Sequence, residues 1–448
     1  MEFGKDLRRR FGRVRGADAL AGDAAVLELL PIALLRTEAR AAEAATVGAT
    51  GRDRGRRCLD HAMILREIGR RTGEPETLVK AASTAERAGQ EAAGDMALFA
   101  AARLEQALAA LTTADLFGMD SVADAANGWF AEAAEGLSAH PSLKGRVAIA
   151  GARFTGRRAL MAGDLDDAVN AAGAYDDAVG LLDAEVRRTG LGHAEAAAAR
   201  CERAELLIGF GARLKDRKLL EQAQSDMRQL TNRLDPDYLP LSWARAASLR
   251  GAALAALGDL NGDAQSISSG VEALTAACET APLDHSPLDH ARALHGLGLA
   301  RQALGEATDD EGLFDIAVED MDIALTVLDS QPALRLRPIA AYDRAACMAR
   351  RAERLEEPLA LAKAEKAFRA ELQGRRAESD PVSWAVLQVA LARVYEARAE
   401  LLGDAGERAD AAFALTEAME VFTDRGLKSL AEAVGESLER LRGPIAEA

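Results

Sequence analysis

The chain has 448 residues and a formal net charge of −16; 49% of its residues are hydrophobic, but only 4% are aromatic. So acidic a chain argues against general nucleic-acid binding, which needs a basic face to displace counterions. The four cysteines, Cys58, Cys201, Cys278 and Cys347, form no CxxC pair, offer no metal motif and read as reduced, mostly buried thiols.

Residues 1–50 are expected to form a basic segment and a leading helix. Phe3, Leu7, Phe11 and Val14 fall at helical spacing, with Lys5, Arg8, Arg9, Arg10, Arg13 and Arg15 among them. Such a basic amphipathic helix can lie on an anionic membrane, dock on a partner or pack onto the chain's own acidic body. Charge is uneven: residues 1–71 hold 15 Lys/Arg against 10 Asp/Glu, and the remainder 40 against 61. The most apolar early run, Ala24 to Leu35, contains Glu28 and Pro31 and is too short to span a bilayer. With no signal-peptide pattern, the chain is expected to be cytoplasmic, with the N-terminal helix as a route to peripheral membrane contact.

Residues 51–140 show helical patterning in divergent hairpins. Residues 141–426 carry a repeat with a period of 47: Pro240-Leu-Ser-Trp243-Ala244 recurs as Pro287-Leu-Asp-His290-Ala291 and as Pro381-Val-Ser-Trp384-Ala385. Small residues keep the same frame in three ladders. The first is Ala204, Gly251, Gly298, Ala345 and Ala392; the second is Ala223, Gly270, Ala317, Ala364 and Ala411; the third is Gly211, Gly258, Gly305, Ala352 and Ala399. One unit, 286–332, predicts a helix A from Pro287, suited to the first helical position, to about Leu304, where Gly305 can end it. Its helix B carries Leu313, Phe314, Ala317, Met321, Ala324, Leu325 and Leu328. The first two ladders are expected where helices A and B pass most closely, so a larger side chain there would force them apart. Residues 427–448 read as a capping helix, Leu427 through Leu441.

Leu297-Gly298-Leu-Ala300, Gly305-Glu306, Ala317 and Ala324, with Gly251, Ala253, Gly258-Asp259, Gly270 and Ala277, resemble the tetratricopeptide repeat. Gly163-Asp164-Leu-Asp-Asp-Ala168 is similar to that family's turn and second-helix start. The departure is length, because the family unit has about 34 residues; here either the helices or the loops are longer. The resemblance implies an all-α, right-handed α-α superhelix, a solenoid of about eight helix hairpins stacked on one another.

It also implies that the A helices line a concave binding face. The family's contact offsets from the helix-A small residue give Arg245, Ser248, Arg292, His295, Leu299, Tyr342, Arg350 and Arg393 as the groove. Arginine and tyrosine are favoured contact residues, so the expected partner is a protein with an acidic or carboxylate-bearing segment. Pairing of these arginines with neighbouring acidic side chains is the alternative. Phe3, Leu7, Arg8, Arg9, Arg10 and Phe11 are the candidate membrane or partner anchor.

His285, His290 and His295 step by five and do not share a helix face, which favours packing over metal binding. No GxxxxGK[ST], GxGxxG or GxSxG pattern occurs. The expected function is therefore non-enzymatic, without cofactor: a protein–protein scaffold or adaptor, or alternatively a peptide- or ligand-responsive sensor whose superhelix changes shape. An uncapped end repeat would also permit homo-oligomerisation.

Overall fold

The computed structural model describes residues 24–92, 94–137, 143–190, 192–374 and 380–442, and these contain helices and no strand. Two leading helices, α1 (Ala24–Glu28) and α2 (Ile32–Val47), precede eight successive helix pairs. These are α3 (Gly51–Thr72) and α4 (Pro75–Gln90), α5 (Met96–Phe117) and α6 (Asp120–Leu137), α7 (Lys144–Ala162) and α8 (Leu165–Thr189), and α9 (His193–Leu214) and α10 (Arg217–Arg233). Next come α11 (Pro240–Asn261) and α12 (Ala264–Thr280), α13 (Pro287–Thr308) and α14 (Gly312–Leu328), α15 (Leu336–Arg354) and α16 (Pro358–Gln373), and α17 (Pro381–Leu402) and α18 (Ala405–Asp424). The last helix is α19 (Lys428–Arg442). The fold is all-α, the class of helix-pair repeats to which the tetratricopeptide-like pattern points. The basic stretch Phe3, Leu7, Arg8, Arg9, Arg10 and Phe11 lies outside the described residues.

The pair α11–α12 shows how the repeat builds itself. Pro240 opens α11 at its first position, where a missing N–H costs nothing. Gly251 and Gly270 then let the two backbones touch: a Cβ on either would sit 2.7–2.8 Å from the other's carbonyl oxygen. Leu274, Ile267 and Ala277 fill the seam and are buried. Each Leu or Ile so buried contributes about 1.5–3 kcal/mol.

The extra length relative to the family unit lies in the helices: α11 has 22 residues and α12 has 17, joined by only Gly262 and Asp263. The turn is therefore Gly262-Asp263, and the expectation of Gly258-Asp259 is corrected by one helical turn. Gly262 takes the left-handed conformation (φ 66°) and the Asp263 carboxylate accepts the Gln265 N–H at 3.1 Å, capping α12. Gly258 is a close-approach residue instead; its Cβ would meet Ile267 at 2.4 Å and the Asp263 carbonyl at 2.7 Å. The same correction applies to Gly305, which is buried inside α13; that helix runs on to Thr308.

The chain divides into two compact units, residues 1–308 with 326–335, and residues 309–325 with 336–448. In unit 1 the first A helix meets the last. Arg70 near the end of α3 binds Asp289 at the start of α13, Gly73 lies against Leu288 and Leu334, and the Arg335 N–H donates to the Leu116 carbonyl at 2.8 Å. The A helices α3, α5, α7, α9, α11 and α13 thus surround a channel. Unit 2 is built on Leu361, Phe368, Leu391, Val394, Leu415 and Phe422, and α19 covers its end with Val434, Leu438 and Leu441.

Candidate functional site

One inward stripe of each A helix in unit 1 forms the channel wall. The spacing is helical throughout: Leu59, Met63, Arg66 and Arg70 on α3; Ala101, Leu104, Glu105 and Leu108 on α5; Arg146, Ile149 and Arg153 on α7; Ala194, Ala198 and Cys201 on α9. Leu241, Ser242 and Arg245 from α11 and Asp289 from α13 complete it. The wall is apolar with charged pairs set into it, and those pairs run from one A helix to another. Arg66 binds Glu105, Arg146 binds Glu195 at 2.6 Å, and Arg153 binds Glu202 through both nitrogens at 2.5 and 2.8 Å. Arg245 reaches Glu205 at 3.0 Å, and Arg70 is bidentate on Asp289 at 3.0 and 3.1 Å.

Burial raises the cost of these charges, and partners offset it. Desolvation alone would push the Glu67 carboxyl up, but the Arg70 and Arg71 guanidiniums outweigh it and hold the group well below the usual carboxylate range. Glu202 and Asp289 behave likewise, desolvation being overcome by Arg153 and by Arg70 respectively. At Cys201 burial outweighs the opposing Arg245 charge and pushes the thiol up to about 12, which makes it a poor nucleophile.

Across this channel lies α1. Its Glu28 is buried, and the carboxylate accepts from both the N–H (2.9 Å) and the hydroxyl of Ser242. Ser242 sits in the first turn of α11, whose preceding residue Leu239 has no side chain able to cap. Glu28 therefore supplies, from another helix, the carboxylate that the free N–H groups and dipole of a helix start favour. The carbonyls at this same end of α1 are held as tightly. Arg71, fully buried, donates to Leu27 O and Leu30 O, each at 2.8 Å, and to Glu67 at 2.6 Å. His285 hydrogen-bonds the Glu28 carbonyl, and the Ile32 N–H donates to Asp284 O at 3.2 Å. Leu27 and Leu30 pack into Ile64, Leu65 and Ile68 of α3.

The groove residues named from the repeat offsets fall in both units. In unit 1, Arg245 is on the channel wall, Ser248 is half-buried and His295 is buried, whereas Arg292 and Leu299 are exposed. In unit 2, Tyr342 packs against Phe368 with tilted rings, centroids 5.6 Å apart, Arg350 pairs with Glu353 at 3.2 Å, and exposed Arg393 approaches the same Glu353 at 3.5 Å. The three clustered histidines are separated: His285 turns to Glu28, and His290 turns to the Ala281 carbonyl at 3.0 Å. Among the described residues, no group of His, Cys, Asp or Glu could hold a metal ion, and no helix is long and apolar enough to cross a membrane.

The sequence reading passed over Glu195, Ser242 and Asp289, which share one position of the 47-residue frame just after each A helix begins, and all three line the channel. That polar column was a usable signal. Glu28 left a fainter one, a lone acid in the apolar run from Ala24 to Leu35.

No family model matches the chain, and no curated protein matches it. Among solved structures it is similar to a Rap protein complexed with Competence and Sporulation Factor, at 15% identity over 84% of this chain and 98% of that one, with a TM-score of 0.45. It is also similar to the apo form of RapI, at 11% identity over 86% and 98% with a TM-score of 0.43. A third is aspartyl phosphate phosphatase F from Bacillus subtilis, at 13% identity over 85% and 93% with a TM-score of 0.41.

Proposed function

We propose that the chain is a non-enzymatic binding protein whose unit 1 channel takes a short segment of a partner protein. One observation carries this reading: a stretch of polypeptide already lies in the channel, held through its main-chain carbonyls and one carboxylate. Carbonyls are common to every peptide, so Arg71 and His285 would grip any backbone placed there, whereas the N–H and hydroxyl of Ser242 offer two donors to a carboxyl side chain. The apolar wall of Leu59, Met63, Leu104 and Leu108 supplies the burial that a peptide needs to bind.

The scaffold reading tests on Arg245, whose guanidinium is on the wall and paired with Glu205. Partners captured by the wild-type chain should be lost with Arg245→Glu while the helical circular dichroism stays the same; equal capture would reject the channel. A sensor role has one observation in its favour. The closure of unit 1 runs through Arg70–Asp289, and both residues also line the channel. A ligand that competes for either would loosen the closure, and small-angle scattering with and without ligand would detect it.

A further inference from the structure

We infer that Val26–Leu30 is a built-in occupant that holds the place of a partner segment of the same chemistry. That partner is one helical turn bearing a carboxylate, flanked by leucine-sized side chains, and it enters only when the chain's own segment leaves. The inference rests on the reading of the channel as a segment-binding site.

Four features support it. First, α1 has five residues. So short a helix is unstable alone in water, so the channel imposes its shape, as it would on an incoming peptide. Second, the contacts that hold it belong to the channel and outlast its departure. Arg71, the largest fully buried side chain, spends two donors on Leu27 O and Leu30 O. Without them it would keep only Glu67 of its three acceptors, and the first turn of α11 would lack the Glu28 cap. Both leave donors for the carbonyls and the carboxyl group of a replacement. Third, the seat is polar at one defined point: Ser242 donates to the carboxyl group twice, and the Arg70–Glu67 pair lines the same cavity. Fourth, the seat is shared. Leu27 and Glu28 themselves line the cavity, so a second segment bound to Ser242 and Arg71 would have to take the place that α1 fills.

The test uses the full-length chain and a fluorescent synthetic peptide of residues 24–32. The wild type should bind it weakly, because the apparent dissociation constant is divided by the open fraction. Glu28→Arg, which places a cation at the α11 start, should bind it about tenfold or more tightly than wild type. Adding Ser242→Ala or Arg71→Met to that variant should remove the gain. Circular dichroism and hydrogen exchange of α3 and α11 check that the fold is retained. If Glu28→Arg does not fold, Leu27→Ala gives the same comparison with a smaller release. Equal binding by wild type and the released variants would overturn the occupant while leaving the channel a peptide site. No binding by any folded variant would overturn both.

Discussion

The two units use the same residue types to different ends. In unit 1, half-buried arginines bridge A helix to A helix on an inner face, Arg146 to Glu195, Arg153 to Glu202 and Arg70 to Asp289, beside A-to-B pairs such as Arg203 with Asp226; in unit 2 the A-to-A contact among the described residues is the exposed Arg393 with Glu353. In unit 2, Arg398 of α17 reaches Glu365 of α16 at 2.6 Å and Glu407 of α18, while Arg337 of α15 reaches Glu371 of α16. Arg344 and Arg351 of α15 likewise pair with Asp322 and Asp315 of α14. Pairs that run from A to B staple neighbouring helices. Pairs that run from A to A around a channel hold charge at a surface that something else must cover. Ion pairs taken from water seldom add much net stability, so the inner-face pairs of unit 1 fit the proposed recognition surface.

The largest effect should come from Arg71. Arg71→Met removes three charge-assisted hydrogen bonds, takes the side-chain donor from buried Leu30 O, and leaves Leu27 O with the Leu30 N–H and Glu67 with Arg70 alone. Unit 1 should lose about 3–5 kcal/mol, the usual result of breaking a buried charged network from one side. Hydrogen exchange read helix by helix should show faster opening of α1 and α3, with α17 and α18 unchanged. Equal loosening of unit 2 would break the division drawn above.

Next in size is the seam of α11 and α12. Gly251→Val places a branched side chain where a single Cβ already sits 2.7 Å from the Gly270 carbonyl and 2.7 Å from Leu274. Backbone must move, at a cost of about 1–3 kcal/mol, measurable by urea unfolding. Unit 2 carries alanines at the equivalent Ala345, Ala364, Ala392 and Ala411, all buried, so its seams already accommodate a methyl. Gly251→Ala should therefore cost more than Ala392→Gly does in the other unit; the reverse order would show that the small-residue ladder does not set helix spacing.

A third pair of variants separates recognition from stapling. Arg245→Met should weaken binding of the 24–32 peptide to the released chain about tenfold, or about 1.4 kcal/mol, with a smaller change in stability. Arg398→Met leaves Glu365 and Glu407 facing each other without their shared partner. It should lower the stability of unit 2 by about 2 kcal/mol and leave peptide affinity alone. Identical effects from the two substitutions would erase the contrast between the units.

Much of this architecture is legible in the sequence, because it follows from spacing. The Pro-x-x-Trp/His-Ala signature and the ladders place the helices of the later pairs. A period of 47 at fixed offsets brings Gly251 to Gly270. The turns are displaced by one helical turn, since a glycine reads alike whether it ends a helix or admits a neighbour: Gly258 admits Ile267, and Gly262 ends α11. Arg245 could be named because it stands, like Arg292, at a contact offset that the family resemblance supplies. Glu28 and Arg71 could not, because their partners are 214 and 44 residues away. No local pattern encodes a contact that exists only once the first A helix of unit 1 has come round to the last.

The smallest effect expected is on pH, and it probes the seat of α1 directly. Burial raises the Glu28 carboxyl above its ordinary value near 4.5, only partly countered by its Ser242 hydrogen bonds and by Arg70, with Glu67 adding to the rise. Burial lowers the His285 imidazole below 6.5; Arg71 adds to that, while the Glu28 carbonyl, Asp284 and Glu67 oppose it. The signs are opposite in consequence. Docking gains from a protonated Glu28, a gain complete below 4.5 and lost as pH rises through the raised value. Docking gains from a neutral His285, a gain complete above 6.5 and lost as pH falls through the depressed value. Moving the titration of either group by one pH unit corresponds to about 1.4 kcal/mol. Competition by the free 24–32 peptide, followed from mildly acidic to neutral pH, should thus show two opposed limbs. Glu28→Gln should remove the limb that weakens docking with rising pH, and His285→Asn the limb that weakens it with falling pH. A profile unmoved by both substitutions would mean that α1 does not leave the channel over this range, and the exchange of one segment for another would have to be driven by the partner's affinity alone.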